Sequence, residues 1–482
     1  MNRLQKPATQ RPEKVLQFGE GNFLRGFVDW MLHRMNEQGQ FNGQAVVVQP
    51  IEAGLTDLIN EQNGMYTLLL RGIQNGETVD EAELITSIRR GINPYKDYKA
   101  FLNCALNPEL RFIVSNTTEA GIVFQPDDLL TDSPPSSFPA KLTALLHKRF
   151  KAFHGDPAKA LVILPCELID RNGDQLKSIV HQYARKWKLG ADFQQWLEHC
   201  HFLNTLVDRI VTGYPKEEIE ALSARFGYVD RLFNTAEPFH LWVIEGDPEL
   251  AKELPLTEAG LNVVWTRDMT PYRTRKVRIL NGAHTMTVLA AYLAGKETVK
   301  ECMDDELIAA YMQKGLFEEI IPTLDLPEEE LKSYANSVLE RFANPFIKHY
   351  LLSIALNSVS KYKTRVLPSL LEFVSRRQEL PSVLCFSLAA LLVFYRGERQ
   401  GEAIALQDDA PHLEKFKQLW SEADGSPSSI DRLVEEALRH EPFWGQSLLE
   451  VKGLHAEVAA AVEAILGLGM RKAMEQALKR RR

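Results

Sequence analysis

Val15-Leu16-Gln17-Phe18 runs directly into Gly19-Glu20-Gly21-Asn22-Phe23, and a helical pattern follows with Phe23, Phe27, Trp30 and Met31 on one side. A short apolar run suits a buried parallel strand. Strand, glycine turn and helix together open a dinucleotide-binding unit. The first glycine allows the tight turn, and the second lets the backbone approach a pyrophosphate at the positive end of a helix. The third glycine of that pattern would fall at Leu24, so the turn alone reads equally well as a plain strand-to-helix connection. Ala45-Val46-Val47-Val48-Gln49 begins about thirty residues later, where the second strand of such a unit belongs. Gln49 stands where an acidic ribose ligand is expected, with Glu52 close behind. No Arg or Lys follows Val48 closely enough to take a 2′-phosphate, which favours NAD over its phosphorylated form.

Further apolar runs at 66–71, 111–115, 160–165 and 240–244 alternate with helical stretches, the mark of an α/β sheet with parallel strands. From about residue 270 the pattern is helical almost throughout, with segments at 281–294, 305–320, 331–342, 346–360 and 383–395. The chain therefore divides into a Rossmann-type nucleotide domain over 1–270 and a mostly α-helical domain over 271–482, with the substrate expected in the cleft between them. A chain of 482 residues is long enough for two such cores. A Pro-, Ser- and Asp-rich stretch over 127–139 reads as a surface loop.

A net charge of −8 gives no electrostatic case for a nucleic-acid partner. The longest apolar run, Leu380 to Tyr395, is interrupted by Pro381, Ser382 and Ser387 and reads as a buried helix, so no membrane partner is expected. The N-terminus has no apolar signal segment. Five scattered cysteines suit reduced, buried thiols in a cytoplasm, and none has metal-ligand spacing. His199, Cys200 and His201 are adjacent, but neighbours on a helix point apart, so no metal is expected.

Lys276, Asn281 and His284 stand at offsets of zero, five and eight in a helical segment. At about 100° per residue, Asn281 lies about 140° and His284 about 80° round from Lys276, so the three share half of the helix surface. An amine that trades a proton, an amide that holds a carbonyl oxygen and an imidazole that orients either suit the interconversion of an alcohol and a ketone. The same spacing also fits a solvated lysine, a capping asparagine and a satisfied histidine.

Read together, Gln17 to Arg25, Ser115-Asn116-Thr117-Thr118-Glu119-Ala120-Gly121, Cys166-Glu167-Leu168 and the Lys276, Asn281 and His284 set resemble the mannitol dehydrogenase family over essentially the whole chain. The resemblance implies a Rossmann-type domain, a helical C-terminal domain and hydride transfer without metal. It makes Lys276 the catalytic acid/base, Asn281 a donor that polarises the carbonyl, and His284 its companion. Phe18, Gly19, Glu20, Gly21, Asn22, Phe23, Arg25 and Gln49, with Ser115, Asn116, Thr117 and Glu119, would hold NAD; Arg25 would contact phosphate or cover the cofactor. Members acting on neutral polyols carry Cys-Asp-Asn where this chain has Cys166-Glu167-Leu168, which leaves Asn172 as the nearest spare amide on the substrate side.

Gln17 to Arg25, Ser115 to Ile122, Pro165 to Asp170, Thr205 to Pro215, Ile279 to His284, Arg341 to His349 and Phe394 to Arg399 most resemble the family members that act on sugar acids, which implies NAD-dependent, reversible reduction of a keto-hexuronate to an aldonate, tagaturonate to altronate. Fructuronate reduction and mannitol-type polyol oxidation are the alternatives, and the resemblance permits a monomer or a weak homo-oligomer. A sugar acid needs a cation for its carboxylate. The candidates are Arg273, Arg275, Arg341, Lys348, His349, Lys361, Lys363 and Arg365; Arg341, Lys348 and His349, in and beside Arg341-Phe342-Ala343-Asn344-Pro345, are preferred for the substrate side. A non-catalytic nucleotide sensor would have no need to keep the Lys276, Asn281 and His284 set whole.

Overall fold

The computed structural model describes residues 10–118 and 120–479. The chain forms two compact units: one runs to Gly72 and from Glu77 to Met269, and the other takes Ile73–Gly76 and everything from Thr270.

Among the described residues the first unit holds twelve strands: β1 (Glu13–Phe18), β2 (Gln44–Val48), β3 (Tyr66–Gln74), β4 (Glu77–Ile85), β5 (Ile88–Ile92), β6 (Phe112–Ser115), β7 (Val162–Pro165), β8 (His201–Phe202), β9 (Asn204–Asp208), β10 (Asn234–Ala236), β11 (Leu241–Glu245) and β12 (Val263–Thr266). The main sheet has the order β5-β2-β1-β6-β7-β8 and is parallel throughout. The apolar runs make this possible. Successive side chains point to opposite faces, and both faces are covered. Val15, Val47, Val114 and Leu164 pack on one side with Phe27, Met31 and Trp242. Leu16, Phe18, Val46, Val48, Ile113 and Ile163 pack on the other with Phe138, Leu142, Val180 and Trp196.

Two of the expected strands are real but belong elsewhere. β3 lies in a separate sheet of order β10-β3-β4, and β11 pairs parallel with β12 and antiparallel with β9. β3 turns into β4 through Asn75 and Gly76, whose φ values of 53° and 80° are those of a tight hairpin turn. The first helix is also interrupted: Asn22–Arg25 and Val28–Glu37 are separate segments.

In the second unit the helices Gly282–Leu293, Ser382–Phe394 and Leu454–Leu468 pack together. Ser382–Phe394 is buried from Val383 onward, which explains why it is apolar all round. Its N-terminus rests on buried Glu319, whose carboxylate accepts from Ser382 Oγ and from the Val383 and Leu384 amides, each at 3.0 Å. No helix among the described residues is long and apolar enough to cross a membrane. All five cysteines are buried and unpaired.

The helix expected over 346–360 does not form as one piece. The segment is non-helical up to Tyr350, then gives Leu351–Ile354 and Ser358–Arg365, separated at Asn357 with φ 53°. The 305–320 segment is a helix over Glu306–Lys314 that continues as a π-turn over Gly315–Ile320.

Candidate active site

β1 and β6 are neighbours at the point where the strand order reverses, and the loops leaving their carboxyl ends face one cavity of about 490 Å³. Gly19, Glu20, Gly21, Asn116 and Thr117 line it, with Pro50, Ile51, Gln125 and Ser136. The volume lies in the range of small-molecule sites. Gly19 has φ 115°, and a Cβ on it would stand 2.9 Å from the Asn116 carbonyl oxygen, so only glycine fits. Gly21 differs: nothing lies within 4 Å of the place its Cβ would take, which leaves the backbone bare toward open space. That is the surface a pyrophosphate needs. Leu24, in place of a third glycine, is buried against the turn.

The floor of the second loop is held by Glu167. Its carboxylate accepts from Ser115 Oγ at 3.0 Å and from Thr117 N and Oγ1 at 2.9 Å each. Burial pushes its pKa up against the pull of those donors. Phe18 and Ser115 lie beneath the cavity, fully buried. Phe18 packs at a tilt against Phe138, which lines it. Phe23 stacks on Phe27 at 5.0 Å. Glu119 lies outside the described residues.

Four residues expected as ligands make hydrogen bonds within the fold. The Arg25 guanidinium is 2% exposed and donates to Glu20 O at 3.1 Å, Leu232 O at 2.6 Å and Asn22 Oδ1 at 2.8 Å. It pins the glycine turn, and Asn22 is engaged with it rather than lining the cavity. Gln49 donates to Ile51 O at 2.9 Å and Glu52 O at 2.6 Å and accepts from Thr56 Oγ1 at 2.7 Å, which shapes the loop after β2. Asn172 is no spare amide. It is fully buried, its Nδ2 donates to the carbonyls of Pro165, Glu167 and Thr205 at 3.0–3.1 Å, and its Oδ1 accepts from the Gly173 and Thr205 amides.

In the second unit, Lys276–Asn281 is a π-turn between the helices Thr270–Arg275 and Gly282–Leu293. This corrects the helical-wheel angles. With i→i+5 hydrogen bonding, Asn281 comes one turn above Lys276, so the two side chains leave the same face of the helix. π-turns of this kind recur at functional sites. His284 follows in the α-helical part. Its ring lies 4.0 Å from that of Phe342 and 5.1 Å from that of His349. Burial, and then the neighbouring His349, Arg341, Arg365 and Lys361, hold its pKa well below the ordinary histidine value. His284 is therefore neutral at pH 7 and can donate from one ring nitrogen while accepting at the other.

Of the residues expected on the substrate side, Arg341 and His349 act on His284, whereas Lys348 is exposed. Arg275 is buried between Tyr272 and Tyr334 and paired with Glu330. Lys361 and Arg365 join the group around His284 from the Ser358–Arg365 helix. The sequence alone leaves them two basic residues among eight, because nothing in its pattern marks the break at Asn357. The only described set of three His, Cys, Asp or Glu ligand atoms close enough to share a metal is Asp408, Asp409 and His412, and Asp408 already accepts from Tyr395 Oη and Val359 N.

Two family models match the chain. That of the mannitol dehydrogenase Rossmann domain covers residues 13–258, and that of the mannitol dehydrogenase C-terminal domain covers 268–466. An altronate oxidoreductase of Pectobacterium carotovorum subsp. carotovorum (strain PC1) is 50% identical over 482 residues, covering 98% of this chain and 99% of that protein. One of Escherichia coli O7:K1 (strain IAI39 / ExPEC) is 49% identical over 476 residues, with the same coverage. Among solved structures, a D-sorbitol dehydrogenase in substrate-free form shares the fold with a TM-score of 0.81 at 23% identity, over 98% of this chain and 97% of that one. A Pseudomonas fluorescens mannitol 2-dehydrogenase, in ternary complex with NAD and D-mannitol, gives 0.66 at 22% identity over 98% and 95%.

Proposed function

The chain belongs to the mannitol dehydrogenase family and is an oxidoreductase acting on CH–OH groups, and from that premise we propose that it interconverts D-altronate and D-tagaturonate with NAD. The observation that carries this reading is identity of about half over the full length of proteins named altronate oxidoreductase. The Rossmann-type unit with its bare Gly21 supports a nicotinamide cofactor, and the mannitol 2-dehydrogenase neighbour is a complex with NAD. The loop after β2 carries Glu52 and no basic residue between Gln49 and Thr56, which supports the non-phosphorylated cofactor.

The nicotinamide ring supplies or accepts the hydride when bound. The chain's own residues handle the proton and the charge. In the reducing direction an alkoxide develops on the former keto oxygen, and the Lys276 ammonium gives it a proton. In the oxidising direction Lys276 takes that proton back. Asn281, one turn above Lys276, donates its amide hydrogen to the same oxygen; one such preorganised donor is worth about 3 kcal/mol of barrier. Neutral His284 orients the hydroxyl without adding a charge that would compete with the lysine. Arg341 and His349 lie on the substrate side, and the family's chemistry needs no metal.

The test is initial-rate absorbance with purified protein, offering tagaturonate, fructuronate and fructose separately with NADH and with NADPH. Tagaturonate with NADH is expected to give the highest kcat/KM. Fructose as the best substrate would overturn the sugar-acid reading, and fructuronate as the best would move it to the sister activity.

A further inference from the structure

Lys361 and Arg365 are four residues apart on the Ser358–Arg365 helix and so project from one face. That helix packs on Gly282–Leu293, and the Arg365 carbonyl oxygen lies 3.3 Å from where a Gly282 Cβ would stand, two residues before His284. The Arg365 guanidinium is half-buried, yet no hydrogen bond or ion pair engages it among the described residues. Lys361 Nζ donates to Ile354 O at 2.8 Å and has no carboxylate within ion-pair distance among the described residues. Like charges at this spacing repel, and partial burial without a partner adds to the cost. Both residues, with Arg341, lie close enough to His284 for their charges to act on it. Asp408 attracts Lys361 but leaves Arg365 without a counter-charge. A protein keeps such an arrangement where an anion completes it.

We propose that Arg365 and Lys361 receive the carboxylate of the substrate and set the preference for sugar acids over neutral polyols. The proposal rests on the sugar-acid reading above. A guanidinium offers a carboxylate two parallel hydrogen bonds, and an ammonium adds a point charge beside it. Binding there removes the repulsion between the two cations and fixes one end of the substrate in the same unit that carries Lys276.

The experiment measures kcat/KM for altronate and for altritol, the hexitol with a hydroxymethyl group in place of the carboxylate, at saturating NAD. It compares wild type with Arg365→Gln, Arg365→Lys, Lys361→Met and Lys363→Gln. In Arg365→Gln the altronate-to-altritol ratio is expected to fall about 100-fold or more, through KM for altronate, with KM for NAD within twofold of wild type. Lys361→Met should lower the ratio less, and Arg365→Lys should recover part of it. Lys363→Gln removes a charge from the exposed side of the same helix and should leave the ratio unchanged. A wild-type ratio in Arg365→Gln, or a raised KM for NAD in place of altronate, would overturn the clamp while leaving the sugar-acid reading standing. If wild type itself prefers altritol, the sugar-acid reading fails and the clamp with it.

Discussion

Arg25 and Arg365 are both drawn out of water, one in each unit, and the structure uses them in opposite ways. Arg25 makes three hydrogen bonds within the fold and lies over the Tyr66 ring, which together hold its guanidinium in place. Arg365 makes none. Around the glycine turn the polar side chains with chemical promise (Arg25, Gln49, Asn172, Glu167) are saturated and build the shape of the cavity, which offers mostly backbone. Beside the π-turn, Arg365 and Lys361 come within reach of His284 with no carboxylate paired to either among the described residues.

The sharpest break of this contrast is Asn281→Ala. Loss of a donor that works only on developing negative charge is expected to lower kcat about 100-fold or more with the unfolding midpoint unchanged. An Asn281→Ala enzyme with wild-type turnover would make the π-turn ordinary structure. Arg25→Met should do the reverse. It orphans the Glu20 and Leu232 carbonyls and the Asn22 amide oxygen, and is expected to lower unfolding free energy by about 3 kcal/mol in urea titration. Unchanged stability with a weakened NAD complex would return Arg25 to the ligand side.

Asp29 gives a smaller contrast within the first unit. It is fully buried, accepts from Gln17 Nε2 at 3.0 Å, and has one oxygen without a partner. Burial raises its pKa to about 7. The unfolded chain ionises near pH 4 while the folded chain holds the proton to about pH 7, so this residue makes stability fall as pH rises through that window and level off above it. Between pH 5.5 and pH 7.5 it should remove about 2 kcal/mol, and Asp29→Asn should abolish that slope. Equal slopes in the two proteins would show that Asp29 is ionised when folded.

Much of the first unit was legible because buried parallel strands announce themselves as short apolar runs; β1, β2, β6 and β7 all lie where those runs fall. The β3–β4 hairpin carries its own signal in Asn75-Gly76, but β4 is largely exposed and shows no apolar run to follow it. The site was harder to read. Nothing in Lys276-Val277-Arg278-Ile279-Leu280-Asn281 encodes the extra residue per turn, because a π-turn is imposed by packing and not by local propensity. The saturation of Arg25 and Asn172 was invisible because their partners, Leu232 and Thr205, are distant in sequence. Lys361 and Arg365 could not be singled out from the other basic residues until the chain broke at Asn357.

The central claim is that one amine exchanges the proton while the first unit only holds the cofactor. NADH binding by fluorescence and tagaturonate turnover by absorbance, measured on the same preparations of wild type and Lys276→Ala, test it most directly. The account predicts an NADH Kd within twofold of wild type and turnover lower by about 10³-fold. Turnover within tenfold of wild type, at equal NADH occupancy, would contradict it.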